Sequence, residues 1–483
     1  MLRSATILQA RLPLGDPHDC SDDPDEIALL RAVYDTLVVR SSDGFTPRLA
    51  QNWSASREAR LWRIRLRPGL IFHDGSPCDA PAVQHSLLRM ARPDRGVALG
   101  ASGVWAPYLA GAEIVAEDAL TLRVGLNEPM ADFLDLLAQA YIAAPSSFAA
   151  LDAGRTRAPI GAGPFRIVRV TASEILARRF DAQVSGPAPA HYEIIWRAEP
   201  DPALRLAALM ERRAQVATGL DFATSRALDA AGGTRVETLS PVCVVVMMEA
   251  ARGPLSDPRL RRALDLAIDR EAIARTATGC AAAPLAGFVS PRHLGAVEGS
   301  APNRDLARAR ALVEEAGHGD GLRLTLDYPT SMPDEAPAIA ALVADQAAPV
   351  GFSIDIRKHE DRAAYARLVS SGEAGDLCVF DSTPLSTFRT LREKLDSRAP
   401  GPWWRGYRNP AVEAAIDEGR REPEDARRGA AYARAFRALQ DDPAWLCLYN
   451  PLRVAGLAGR HRDFRFPPDG AIDAAALPPL AGV

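Results

Sequence analysis

Paired cysteines are missing from this chain. Its six cysteines (Cys20, Cys78, Cys243, Cys280, Cys378 and Cys447) lie far apart, and none forms a CxxC. That spacing argues against a paired-cysteine zinc site or a dithiol redox motif, and the cysteines are too sparse for a disulfide scaffold. Histidine is scarce as well, with eight scattered residues. No HExxH or comparable ligand set occurs, so neither a metal nor a cofactor is expected. The chain has no GxSxG or other nucleophile signature, which argues against an enzyme. No apolar run reaches the length of a bilayer. Lysine is rare beside arginine, but Asp and Glu are interspersed with the arginines and the net charge is −4. A pI near 6.1 completes a picture with no electrostatic case for nucleic acid. The first twenty residues lack a charged region leading into a long apolar core and a small-residue cleavage site. Cys20 follows Pro17-His18-Asp19, a poor context for lipid attachment. The expectation is either a cytoplasmic chain or one whose secretion signal was removed or left out.

What is present is a chain of 483 residues and 51.8 kDa, too long for one ordinary core, so two or three lobes are expected. Hydrophobic residues at 47% and charged ones at 24% are the balance of a soluble globular protein. In Leu61–Pro77, Trp62, Ile64 and Leu66 alternate with Arg63, Arg65 and Arg67, the period-two pattern of a strand with one buried face. Pro68-Gly69 is read as reversing the chain so that Ile71-Phe72 run back, and His73-Asp74-Gly75 as a second turn. Asp79 is placed to cap a helix carrying Val83, Leu87, Leu88 and Met90, and Asp25 to cap one over residues 26–37. Residues 113–126 read as two strands around Glu117-Asp118, and 129–140 as an amphipathic helix. Gly161-Ala162-Gly163-Pro164 invites a phosphate-loop reading, but Pro164 removes an N–H donor and no GxGxxG follows, so a strand entrance is the better reading.

Val242–Met248 is apolar on both faces, as in the middle of a sheet. Asp257-Pro258 opens a helix whose buried stripe is Leu260, Leu264, Ala267 and Ile268, and Asp269 starts a second. Strands at 322–327, 352–356 and 376–380 alternate with helices at 334–347 and 361–369, a β-α-β-α-β rhythm that predicts parallel pairing with right-handed crossovers. Near the end, 445–449 and 452–457 read as two strands.

With these segments placed, the chain resembles the family 5 extracellular solute-binding proteins, the dipeptide, oligopeptide and nickel receptors of ABC importers. Pro47–Trp53 and Trp62–Pro77 resemble the family's P-x-L-A-x-x-W and W-x-F-x-L-R-x-G-x-x-F-H-D-G-x-P. Gly161–Phe165 is similar to G-T-G-P-Y/F, and Asp257–Ile273 to D-x-R-V-R-x-A-I-x-x-A-I-D-R-x-x-I. Asn409–Ile416 and Asp441–Arg453 resemble N-P-E-V-D-x-L-I and D-x-P-x-x-P-L-Y-x-P-x-R. The resemblance implies an α/β periplasmic-binding-protein-like fold, with two main lobes, a hinge and an inserted domain. Domain I would comprise 1–41, 160–248 and 449–483, the inserted domain II 42–159, and domain III 249–448. It implies a periplasmic, monomeric receptor that captures a small polar solute, peptide-like or an amino-acid conjugate, in an interdomain cleft. The receptor would deliver that solute to an ABC importer permease, without catalysis. A cytoplasmic sensor or chaperone of the same fold is the alternative.

The resemblance places ligand contacts in three stretches. The loop after the first strand, His18–Ser21, includes Cys20 and Ser21; the strand entry Ser240–Val244 includes Ser240, Val242 and Cys243. The third stretch, 380–388, includes Phe380, Asp381, Ser382 and Thr383. Here the chain departs from the peptide binders' G-W-x-x-D-Y-x-D-P: VFDSTPLSTFRTL has neither the tryptophan nor an aspartate at the matching spot. Asp381, a few residues early, is the candidate partner for a ligand amine, and the hydroxyls suit carboxylate, hydroxyl or amide groups. Trp403, Trp404 and Arg405 form a further candidate cluster, two rings to wall a cleft and a guanidinium to grip a carboxylate. Arg389 and Arg392 are expected to face water. His73-Asp74 is read as turn structure.

Overall fold

The computed structural model describes residues 4–19, 23–41, 44–96, 103–182, 184–279, 281–331, 333–382, 385–461, 463–467 and 469–479. Among the candidates, Cys20, Ser21 and Thr383 lie outside these residues. The chain divides into two compact units, one of Met1–Ala98, Ser102–Thr238 and Arg453–Val483, the other of Leu99–Ala101 and Leu239–Leu452. Among the described residues, no helix is long and apolar enough to cross a membrane.

In the first unit, the strand Ser4–Gln9 pairs in parallel with Glu193–Ala198 on one side and Val216–Ala217 on the other. Glu174–Arg179 and Phe165–Val170 extend this sheet antiparallel. Helix Pro24–Val33 lays Ala28, Leu29 and Ala32 on Ile7, Phe165 and Trp196. Its cap is Asp23, which accepts from the Asp25 N–H, rather than Asp25 itself, because Pro24 already occupies the first turn. The helix ends well short of residue 37, since Asp35 leaves it to bridge Ile142.

The segment beginning at Gly44 builds a second, four-stranded antiparallel sheet in the order Ala50–Ala55, Leu61–Leu66, Thr121–Gly125, Glu113–Ala116. Trp62, Ile64 and Leu66 are buried and Arg63 and Arg65 are exposed, as the period predicts, while Arg67, past the strand end, is half-buried and donates to the Arg48 carbonyl. The chain after Pro68-Gly69 does not run back along this strand. Both of its edges are taken by Ala50–Ala55 and Thr121–Gly125, so Ile71 instead bridges Pro77 in a small local hairpin. His73-Asp74-Gly75 turns that hairpin, with Gly75 at φ +85°. Asp79 caps the helix Ala80–Met90 by accepting from the Ala82 N–H at 3.0 Å. Val83, Leu87 and Met90 of that helix are buried, but Leu88 is 42% exposed, one position off the packed stripe. The amphipathic helix expected over 129–140 shortens to Phe133–Leu137.

In the second unit, Phe352–His359, Leu322–Pro329 and Leu377–Ser382 form the predicted parallel trio, linked by helices Ala336–Ala347 and Arg362–Ser370. The strand Cys243–Met248 adds antiparallel to Leu377–Ser382, and Trp445–Leu457 pairs along its other side. That last strand is one element of 13 residues, not two, because Ala282–Pro284 pairs along it across Asn450-Pro451. Asp257 and Asp269 cap helices Pro258–Ala267 and Arg270–Thr278. The first of these buries Leu260, Leu264 and Ala267, followed by Ile268, against Val244, Val246, Leu324 and Ile339. Each fully buried aliphatic side chain of this core contributes about 1.5–3 kcal/mol relative to exposure.

Candidate functional site

The mixed sheet of the second unit has two faces, and strand alternation sorts the candidates between them. Val244, Val246 and Met248, with Leu377, Val379, Leu446 and Leu448, point into the helix-covered core. The intervening residues Cys243, Val245, Met247, Cys378, Phe380, Ser382, Trp445 and Cys447 belong to the opposite face. Cys243 and Ser382 are direct partners in the strand register. Ser382 is the last residue of a parallel strand, so both lie at the carboxyl end of the parallel trio, the end where open α/β sheets hold ligands.

Helix Thr387–Leu395 supplies a residue to this spot that the sequence reading did not single out. Ser386 caps the helix by accepting from the Arg389 N–H. At the penultimate position of the helix, the Lys394 ammonium donates to Ser382 Oγ. The Lys394 Nζ also lies 5.6 Å from the centre of the Trp445 ring. Burial pushes this amine down to about 8, against the opposing pull of Glu393. Burial likewise raises the Cys243 thiol to about 11, so the neutral form dominates near neutral pH. The four described cysteines are free and buried. Ser240 turns the chain into the strand, its hydroxyl accepting from the Val242 N–H at 3.1 Å, and the Val242 carbonyl accepts from Asn450 Nδ2 at 2.6 Å. Rarity was the one available signal for Lys394: the chain contains only two lysines, Lys358 and Lys394.

Beside this spot, Phe380 is covered by Trp403, with ring centres 4.9 Å apart, and Arg362 sits 4.8 Å over the same ring. Asp381 faces Arg362 at 3.5 Å and therefore already has a cation nearby. Trp404 is half-buried and donates Nε1–H to the Tyr407 carbonyl at 2.9 Å. Arg405 is turned inward. Its guanidinium pairs with buried Glu249 at 2.9 Å and donates to the Gly375 carbonyl at 3.0 Å, so its charge is committed within the unit. Arg389 does not face water: it is 1% exposed and paired with Glu393 at 2.9 Å, one helical turn on. Arg392 is half-buried.

In the first unit, the loop after the first strand is held from inside. Arg89 donates to both oxygens of Asp16, at 2.8 and 2.6 Å, and to His18 Nδ1 at 2.7 Å. An arginine only donates, so Nδ1 accepts and His18 carries its proton on Nε2, which donates to Ser86 Oγ at 3.1 Å. Burial, reinforced by the Arg89 charge, depresses the His18 imidazole to about 3. His73 has a comparable task. Its Nε2–H donates to the Gly163 carbonyl at 3.0 Å, and its backbone N–H donates to Gly161 O at 2.9 Å. Asp74 accepts from Ser76 Oγ at 2.6 Å and Ser146 Oγ at 2.7 Å. The two motifs that suggested chemistry, His-Asp and Gly-Ala-Gly, thus bind each other. Among the described residues, no group of three or more His, Cys, Asp or Glu is placed to hold a metal ion.

Comparison with known proteins gives this geometry a context. The family described as "Bacterial extracellular solute-binding proteins, family 5 Middle" matches residues 44–382. The glutathione-binding protein GsiB of Pectobacterium atrosepticum is 24% identical over 479 residues, covering 94% of this chain and 90% of its own. The GsiB of Salmonella paratyphi A is 28% identical over 318 residues, 64% of this chain, and the match spans about 60% of that relative's length. Among solved structures, the ABC transporter-associated periplasmic binding protein DppA from Helicobacter pylori, in complex with peptide STSA, superposes with a TM-score of 0.78 at 20% identity. That superposition covers 98% of this chain and 97% of the other, and it carries the α/β periplasmic-binding-protein fold. This chain belongs to family 5 of the bacterial extracellular solute-binding proteins.

Proposed function

We propose that the protein is the substrate-binding receptor of an ABC importer, a periplasmic monomer that captures a small peptide-like solute and presents it to the membrane permease. In this reading residues 42–159 are the inserted lobe of the family, and the ligand site draws on Cys243, Phe380, Asp381, Ser382 and Trp403. The observation that carries it is the grouping at the strand ends of the second unit, where the Cys243–Ser382 pair, the Lys394 ammonium and the Phe380–Trp403 stack come together. Polar groups of both kinds beside aromatic surface suit a short peptide or an amino-acid conjugate better than a bare ion or a lipid chain. A relative named for glutathione binding that aligns over nearly the whole chain supports the tripeptide size class. Arg362 beside Asp381 makes a simple α-ammonium clamp there a weaker fit.

Native mass spectrometry of freshly purified protein, followed by calorimetric titration with glutathione and with the peptide Ser-Thr-Ser-Ala, tests the reading. A retained mass of a few hundred daltons, or saturable binding of either probe, is the expected result. An empty protein that gives no heat and no melting shift with either probe overturns the peptide-like assignment.

A further inference from the structure

Lys394 is an anomaly in this chain. Of 57 basic residues only two are lysines, and the other cations that tie the interior together are arginines. Arg89, Arg261, Arg270, Arg389 and Arg405 each pair with a carboxylate, and Arg205, which has none, spreads its donors over the carbonyls of Glu199, Pro200, Thr218 and Gly219. Lys394 has neither arrangement. It is 3% exposed, and among the described residues no carboxylate oxygen lies within 4.0 Å of its Nζ. The nearby acids are engaged elsewhere, Glu393 by Arg389 at 2.9 Å and Asp381 by Arg362 at 3.5 Å. Among the described residues, the ammonium meets one neutral hydroxyl, Ser382 Oγ, and the face of Trp445.

An ammonium has three N–H donors, and one hydroxyl with a ring face offsets only part of the cost of taking its charge out of water. A buried cation short of its counter-charge at the ligand end of a sheet is the arrangement expected where a ligand supplies the missing anion. A lysine also presents a compact point charge at the end of a flexible stem, whereas an arginine there needs room for a planar fork. We propose that Lys394 is the anion-recognising residue of the binding site, with a carboxylate of the bound solute joining or replacing the Ser382 hydroxyl as its acceptor. The proposal rests on the receptor reading above and narrows the solute to one with a free carboxylate, as peptides and amino-acid conjugates have.

The test uses full-length protein stripped of ligand by unfolding in guanidinium chloride and refolding, as wild type and as K394M. Ligand-free K394M is expected to melt higher than wild type, because the substitution removes a charge that the free protein leaves uncompensated. Its affinity for glutathione is expected to fall about 10- to 100-fold, the range of a lost charge-assisted hydrogen bond. For glutathione diethyl ester the two proteins are expected to bind alike. K394M that melts several degrees below wild type, or that binds the free acid as tightly, overturns the proposal. Selective 15N-lysine labelling of wild type gives a second readout that needs no variant, since the protein yields only two lysine side-chain signals. Glutathione should move the Lys394 signal and leave Lys358 in place; an unmoved Lys394 signal at saturation also overturns it. If wild type takes neither glutathione nor Ser-Thr-Ser-Ala, the peptide-like reading fails by itself. The ligand-free melting comparison then decides Lys394, a higher value for K394M supporting the proposal and a lower one refuting it.

Discussion

His73 and Gly163 are separated by 90 residues, and the hydrogen bond between them requires a proton on Nε2 of the imidazole, which burial holds in its neutral form. Burial pushes His73 down to about 4 from an ordinary value of 6.5. Between those values the unfolded chain binds a proton that the folded chain refuses. This contribution to stability is therefore whole above pH 6.5 and lost as pH falls through 4. The full loss is about 3 kcal/mol at 1.36 kcal/mol per pKa unit. H73Q places an uncharged amide donor near the position of Nε2. Its unfolding free energy, measured by denaturant titration, should change less between pH 6.5 and 4 than that of wild type. Arg405 makes a prediction of another kind. Removing it in R405M leaves buried Glu249 with only the exposed Arg252, at 3.9 Å, as a cation, which should cost about 3 kcal/mol in the same assay. Binding by the folded fraction should change little, because the guanidinium is spent inside the unit.

At the scale of elements, short motifs matter here through what packs against them. A Cβ on Gly163 would sit 2.5 Å from the carbonyl carbon of Val33, and one on Gly161 2.3 Å from Val33 O. Both glycines therefore let the Gly-Ala-Gly turn lie against the end of helix Pro24–Val33, which no backbone shift of a few tenths of an ångström would relieve. G163A should destabilise by about 2–4 kcal/mol, read as a lowered denaturation midpoint with an unchanged slope. The Asp257 cap is a milder case. D257A removes one acceptor from the exposed start of helix Pro258–Ala267 and should cost about 1 kcal/mol. Periodicity was a good guide for elements whose partners are local. It misled where the partners are distant, as at Ile71-Phe72, because sequence spacing does not report that both edges of a strand are already occupied.

For the whole molecule, a receptor that binds its solute only when folded must be stabilised by it. Glutathione at 100 times its Kd should raise the unfolding free energy by about 2.7 kcal/mol, seen as a higher melting temperature that climbs with ligand concentration. D381A separates two roles for that carboxylate. If it meets a ligand cation, affinity for peptides with a free amine should fall while N-acetylated ones bind as before. Equal affinity of D381A and wild type for both would confine Asp381 to its contact with Arg362.

The sequence alone determined the family, through ordered motifs from Pro47 to Arg453, and much of the element map, including the β-α-β-α-β run and the caps at Asp79, Asp257 and Asp269. These rest on local spacing and on side chains that bond to their own backbone, which neighbouring residues specify. Tertiary structure decided which polar residues are available for chemistry. It turned Arg405 and Arg389 inward onto Glu249 and Glu393 and tied His73 to Gly163. It also brought Lys394 to Ser382 with, among the described residues, no carboxylate oxygen within 4.0 Å of its ammonium. Whether a charge is paired depends on residues from distant parts of the chain meeting at a few ångströms, and one-dimensional spacing does not encode that distance.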